Sequence, residues 1–133
     1  MESKSQKGII RAAILALACA MIIKLFFFDL MITQGRSMLP TLRPGSLLMV
    51  NKAAYGFRIP GFSSYLMRWS SPMPGDLVVF YTPLGERAVK RCYSVNEEGA
   101  VFAQGDNDLE SFDSRSYGPI PPDDILGKVV VFK

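Results

Sequence analysis

Apolar positions along the chain follow two regimes. The first is continuous: Ala12 to Ile23 is twelve residues without a charge, Lys24 interrupts it, and Leu25 to Phe28 resume it before Asp29 and the short run Leu30 to Ile32. The second, from Ser46 onward, is broken into short apolar runs separated by Pro and Gly. Leu47 to Val50 follows an Arg43-Pro44-Gly45 turn, Leu77 to Tyr81 follows Pro74-Gly75-Asp76, and Arg87 to Tyr93 follows Pro83-Leu84-Gly85-Glu86. Ala100 to Gln104 and Ile125 to Phe132 complete the set. Runs this short, ended by residues that turn the backbone, predict strands. Leu77 to Tyr81 has no polar alternation and predicts a strand buried on both faces. The pattern as a whole predicts one apolar helix followed by an all-β domain of about five short strands.

Counted from Gly8 to Phe28, the continuous segment has 21 residues. As a helix it would be roughly 31 Å long, matching a bilayer core of about 30 Å if Arg11 and Lys24 snorkel to opposite interfaces. Lys4, Lys7 and Arg11 at its N-terminal end favour a cytoplasmic start and an exported C-terminal domain. A cleaved signal peptide has a similar basic and then apolar layout, and Ala16-Leu17-Ala18-Cys19 resembles a lipoprotein site. The apolar run nevertheless continues through Met21-Ile22-Ile23, past where cleavage should end it. A buried soluble helix would not be apolar on every face in so small a domain. Residues 55–74 form a long connection with five aromatics, Tyr55, Phe57, Phe62, Tyr65 and Trp69. It is expected either to fold over the core or to dip into a membrane interface.

Composition narrows the chemistry. The 133 residues carry a net charge of only +3, with Lys and Arg dispersed, so nucleic-acid binding is not expected. Two cysteines, one of them inside the apolar segment, make no disulfide framework, and Cys92 is a free thiol or a packer. There is no histidine, which excludes Ser-His-Asp and Cys-His catalysis and most zinc sites. No metal or cofactor is expected, and a nucleophile must take its base from Lys, Asp, Glu or Tyr.

Three stretches could carry such chemistry. Gly35-Arg36-Ser37-Met38-Leu39-Pro40-Thr41-Leu42 offers one hydroxyl, Ser37, in a turn shaped by Gly35 and Pro40. On a strand, Ala88, Lys90 and Cys92 share one face, and Val89, Arg91 and Tyr93 the other. Lys90 is thus flanked by small side chains, and burial there would lower its pKa from about 10.4 toward the range of a general base; an exposed edge lysine is the alternative. Gly105 to Arg115 is a dense polar loop. Its Asp106, Asp108, Glu110 and Asp113 suggest calcium, but no glycine stands in register for that pattern. The other reading is a structural knot in which Asp113 and Arg115 tie the loop down.

Ser37-Met38-Leu39-Pro40-Thr41, Gly75-Asp76-Leu77-Val78-Val79-Phe80, Val89-Lys90-Arg91, and Gly105-Asp106-Asn107 with Ser111-x-Asp113-Ser114-Arg115 stand in that order behind the apolar segment. Together with Gly118-Pro119-Ile120-Pro121 and Ile125-x-Gly127 they resemble the motifs of bacterial type I signal peptidases over nearly the whole chain. The resemblance implies a membrane-bound serine protease with a Ser–Lys dyad. Ser37 would be the nucleophile and Lys90 its base, and Ser111 would hold the lysine ammonium. Asp113 and Arg115 would form a structural pair in the loop that also contains Asp106 and Asn107. The backbone N–H of Ser37, with a second donor near Gly35, would meet the oxyanion.

The implied partners are preproteins with small residues before the cleavage site, membrane lipid and the secretion translocon. The implied layout is a cytoplasmic N-terminus (1–7), a transmembrane anchor (8–28) in the inner or plasma membrane, and an extracytoplasmic β-rich catalytic domain (29–133). The chain departs from the pattern in three places. Gly35 stands where some members have a serine that completes the oxyanion hole, and Ala88 stands where an aromatic is frequent. After Arg91, Cys92-Tyr93-Ser94-Val95-Asn96 replaces a Gly-Pro-Gly-Asp run, and only residues 92–104 separate Arg91 from Gly105, so the second subdomain is expected to be minimal. A dedicated processing protease for one secretion or conjugation substrate, and a catalytically silent membrane-tethered β module, are the competing expectations. A self-cleaving repressor would need a DNA-binding unit where this chain has its apolar segment.

Overall fold

The computed structural model describes residues 2–132. Met1 and Lys133, the outer ends of the N-terminal and catalytic segments set out above, lie outside the described residues. The apolar segment is a helix, α1 (Glu2–Phe26), exposed over residues 3–25 and long and apolar enough to cross a membrane. It begins at Glu2 rather than Gly8 and stops at Phe26, because the chain turns at Phe27 into a strand that the sequence pattern did not separate from the helix. This strand, β1 (Phe28–Ile32), pairs antiparallel with β2 (Leu47–Asn51). The Lys52 amine donates to the Lys24 and Leu25 carbonyls, at 3.2 and 2.8 Å, and so caps the end of α1. Phe26 stacks on Phe57 with ring centroids 5.4 Å apart.

The other strands are β3 (Gly56–Phe57), β4 (Met67–Arg68), β5 (Leu77–Tyr81), β6 (Arg87–Val95), β7 (Val101–Gln104) and β8 (Ile125–Phe132). Six form one antiparallel sheet in the order β1-β2-β8-β5-β6-β7, and β3 and β4 make a separate ribbon. The five expected strands are β2, β5, β6, β7 and β8. A short helix, α2 (Ser114–Tyr117), follows the polar loop. The molecule is therefore a mostly-β domain behind one apolar N-terminal helix. Strands β6 and β7 form a hairpin, whose turn is held by the Asn96 side chain accepting from the Glu98 and Ala100 N–H groups. Residues 55–74 carry the β3–β4 ribbon, with Phe62, Leu66, Met67, Trp69 and Met73 exposed.

Strand β5 lacks alternation because it lies between two cores. Leu77 and Val79 join Met38, Leu42, Leu48, Val50, Val89 and Val129 on one face. Val78 and Phe80 join Tyr55, Cys92, Val101, Ala103, Ile120 and Ile125 on the other. Full burial of such side chains contributes roughly 1.5–3 kcal/mol each. Met38 and Leu42 matter most for the site, since their burial ties the loop on either side of Ser37 and Thr41 to the sheet. At Gly127, on β8 between β2 and β5, a Cβ would stand 2.4 Å from the Asn51 carbonyl oxygen. Gly127→Ala should therefore cost about 1–3 kcal/mol, read as a clear drop in Tm by circular dichroism; an unchanged Tm would contradict this strand packing.

Candidate active site

The loop from Thr33 to Ser46 leaves the sheet at the end of β1 and returns at β2. It is closed at its base by the buried Thr33, whose N–H donates to the Ser46 carbonyl at 2.9 Å and whose hydroxyl donates to the Arg43 carbonyl at 2.7 Å. Ser37 sits partway along it. Lys90 comes from β6, where pairing with Val78 of β5 fixes its register. The two side chains meet: the Lys90 amine and the Ser37 hydroxyl are 2.5 Å apart. Lys90 is 6% exposed, so it is the buried lysine and not the edge lysine of the sequence alternatives. Burial is the main force lowering its pKa; Asp113 opposes that shift and Arg115 adds to it.

The polar loop behaves as the structural knot. Asp106 accepts from the Arg91 guanidinium at 2.9 and 2.8 Å and from the Thr41 hydroxyl at 2.6 Å. Asn107 donates its backbone N–H to the Ser37 carbonyl at 2.8 Å and its side-chain amide to the Arg36 carbonyl at 3.0 Å. The serine loop is thus fastened to the chain after β7 on both sides of Ser37. Asp113, 1% exposed, accepts from the Gly105 N–H, the Ser111 hydroxyl and the Arg115 backbone and guanidinium. Burial alone would raise its pKa, but the Arg115 guanidinium, the Ser111 hydroxyl and two backbone N–H groups hold it well below the usual carboxylate range. Asp108 pairs with Arg115 at 2.8 Å and Glu110 with Arg36 at 3.6 Å. Each of the four carboxylates therefore faces an arginine.

Ser111 differs from its expected contact. Its hydroxyl donates to Asp113 at 2.5 Å, while the Lys90 amine is hydrogen-bonded to Ser37 and not to the Ser111 oxygen among the described residues. Gly105 allows the close approach, since a Cβ there would lie 2.1 Å from the Ser111 hydroxyl oxygen and 2.6 Å from the Ser37 carbonyl oxygen. Gly35 has φ +77°, a conformation that disfavours any side chain, although the space around it is open. The sequence reading did not assign roles to Thr41 and Arg91. The alternation of β6 offered a signal for Arg91, because it points the guanidinium to the face opposite Lys90, toward Asp106.

Two grooves meet at Ser37 and Lys90. One, of about 520 Å³, is lined by Leu30 to Gln34 of β1 and the following turn and by Arg87 to Lys90 of β6. The other, of about 270 Å³, is lined by Gly35, Arg36, Leu84, Glu86 and Phe112, among others. At the far end of the first groove Arg87 pairs with Asp29 at 3.3 Å. Asp29 faces Arg87 and Ser37 faces Lys90, so the two sides of the groove run in the same chain direction.

Comparison with known proteins agrees with this architecture. The family model described as "Signal peptidase, peptidase S26" matches residues 6–98 and 93–132. The chain is similar to signal peptidase I of Bacillus caldolyticus, at 29% identity over 80% of this chain and 80% of that protein. It is similar to the probable signal peptidase I-1 of a Synechocystis strain, at 26% identity over 84% of this chain and 74% of that protein. Signal peptidase I of Haemophilus influenzae matches at 37% identity over 50% of this chain, which spans only 19% of that relative's length. The family match runs over most of the chain, and it includes both the loop that carries Ser37 and the strand that carries Lys90: the protein belongs to the signal peptidase family of serine peptidases, peptidase S26.

Proposed function

We propose that this chain is a membrane-anchored endopeptidase that removes signal peptides from exported preproteins with Ser37 as nucleophile and Lys90 as general base. The 2.5 Å contact between a buried lysine and a serine hydroxyl carries the reading. A neutral Lys90 amine takes the hydroxyl proton as Ser37 Oγ attacks the scissile carbonyl carbon. As the tetrahedral intermediate collapses, the Lys90 ammonium gives that proton to the departing amine. The neutral amine then takes a proton from water, which attacks the acyl-enzyme, and the same proton returns to Ser37 Oγ as the ester breaks. The Ser37 N–H has no acceptor among the described residues and is free to meet the oxyanion, with a second donor on the Gly35 side; each preorganised donor contributes about 3–4 kcal/mol. Asp113, through Ser111, Gly105 and Arg115, holds the loop that fastens the Ser37 turn.

The first groove supports an extended substrate. β1 pairs only with β2, and β6 pairs with β7 only from Arg91 onward, so β1 and the 87–90 stretch of β6 offer free backbone edges to the groove among the described residues. A peptide laid between them pairs with β1 and β6 and points alternate side chains inward. This arrangement favours small residues at the first and third positions before the cut. The end of the groove at Asp29 is next to α1, so the membrane-embedded part of a precursor approaches from there and the mature part leaves through the second groove. In this reading α1 spans the membrane with the β domain on the extracytoplasmic side. Phe28, Leu47, Met49 and Trp69, all exposed, face lipid.

Ser37→Ala or Lys90→Ala should lower cleavage of a precursor bearing an Ala-x-Ala site by about 10³-fold or more, measured with the full chain in detergent. Cleavage by either variant at the wild-type rate would reject the dyad. Lys90 acts only as the free amine, so kcat/KM should rise with pH through the lowered Lys90 pKa and be lost below it. Asp113→Asn removes the charge that holds that pKa up and leaves Arg115, which holds it down, so the acid limb should move to lower pH. The same change turns one of the two buried acceptor oxygens that serve Ser111, Gly105 and Arg115 into an NH2 donor and leaves Arg115 without its buried counter-charge, which should cost about 2–4 kcal/mol, read from Tm. An acid limb that stays in place or moves upward would remove Asp113 from the positioning role.

A further inference from the structure

A pocket of about 410 Å³, separate from the two grooves, opens where α1 meets the β domain. Leu25 and Phe26 from the end of α1, Phe62 from the β3–β4 ribbon and Leu126 from β8 supply apolar walls, and Lys52 and Arg58 supply two cations. Neither cation is in an ion pair among the described residues. Arg58 donates only to the Ser63, Asp123 and Ile125 carbonyls and lies 4.5 Å over the Tyr65 ring, and its Nε is buried with no partner among the described residues. Lys52 donates to the Lys24 and Leu25 carbonyls in the last turn of α1, which leaves one of its three N–H groups over. Burial lowers the Lys52 pKa; Asp29 opposes the shift, and Arg87, Lys24 and Arg58 add to it. Asp29 is already paired with Arg87. The pocket therefore has an excess of positive charge that the protein does not neutralise.

Its place in the fold selects the anion. On the reading that α1 spans the membrane, Phe26 ends the hydrocarbon stretch, and the pocket mouth lies at the headgroup level. Phe62, 65% exposed, and Phe27, 44% exposed, extend the apolar rim toward the bilayer. A soluble anion would use the cations alone and leave the apolar walls open to water. A phospholipid uses both.

We propose that this pocket holds the phosphate of an anionic phospholipid between Lys52 and Arg58, with the acyl chains lying along Leu25 and Phe26. The proposal rests on the membrane-spanning reading of α1. The test uses the full chain in neutral detergent micelles, titrated with phosphatidylglycerol or with phosphatidylcholine of the same chain length, and bound lipid is counted by native mass spectrometry. Phosphatidylglycerol should bind at one per chain and more tightly than phosphatidylcholine. Lys52→Gln should weaken it about fivefold, the effect of one cation near a lipid surface. Lys52→Arg, which keeps the charge, should retain binding, and so should Arg43→Gln, a charge change on an exposed turn.

Equal binding of the two lipids, or an unchanged affinity in Lys52→Gln, would overturn the proposal. So would equal losses in Lys52→Gln and Arg43→Gln, or binding of glycerol 3-phosphate as tight as that of the lipid. Precursor cleavage measured on the same samples separates the two readings. Normal cleavage without lipid preference removes only this site, whereas a chain that stays in the aqueous phase when offered vesicles removes the membrane reading and this site with it.

Discussion

Lys90 is held out of water with its amine against the Ser37 hydroxyl, and the arrangement around it follows from the cost of that burial. A charged ammonium there would lose its hydration and gain only partial compensation from the nearby Asp113 charge, itself largely taken up by Arg115. The environment thus favours the neutral amine, the form that can accept a proton. Cys92 and Ala88, beside Lys90 on the same face of β6, add no polar group that would restore the charge. With no histidine in the chain, the base has to come from another side chain, and burial lowers the Lys90 pKa in the direction that role needs.

The hydroxyl needs equal control, and here the polar loop matters. Asp106 reaches Thr41 and Arg91 together, while Asn107 reaches the Ser37 and Arg36 carbonyls. One loop therefore fastens both the serine turn and the strand that carries the lysine. Asp113 in turn holds that loop through five hydrogen bonds from Gly105, Ser111 and Arg115. The glycine at 105 is required because the Ser37 carbonyl and the Ser111 side chain both stand where its Cβ would be. The site is assembled from two segments far apart in sequence, and buried hydrogen bonds, stronger in a low-dielectric setting, set the distance between them.

The strands that form the core were legible because Pro- and Gly-rich turns bracket them and because β5 is apolar throughout. β1 was not, since Phe28 to Ile32 continues the apolar run of α1 and only its pairing with β2 separates the two. The β3–β4 ribbon, two residues on each side, is too short to leave a pattern. At the site, Ser37 and Lys90 were legible from residue type and order, and so was the structural character of the 105–115 loop. The Ser111 contact was not: whether its hydroxyl turns to Lys90 or to Asp113 depends on angstrom-scale placement. The partnership of Thr41, Arg91 and Asp106 was hidden for a related reason, since it joins three segments whose proximity only the folded sheet creates.

The most direct test of the Ser37–Lys90 assignment is a site-resolved titration of the Lys90 amine. Lysine carrying ¹³C at Cε is incorporated into the full chain in detergent, and the Lys90 resonance, assigned by its loss in Lys90→Arg, is followed with pH alongside precursor cleavage. A Lys90 pKa below 10.5 that coincides with the acid limb of kcat/KM is the expected result. Titration at the ordinary lysine value, or a cleavage profile unrelated to the Lys90 titration, would contradict the assignment.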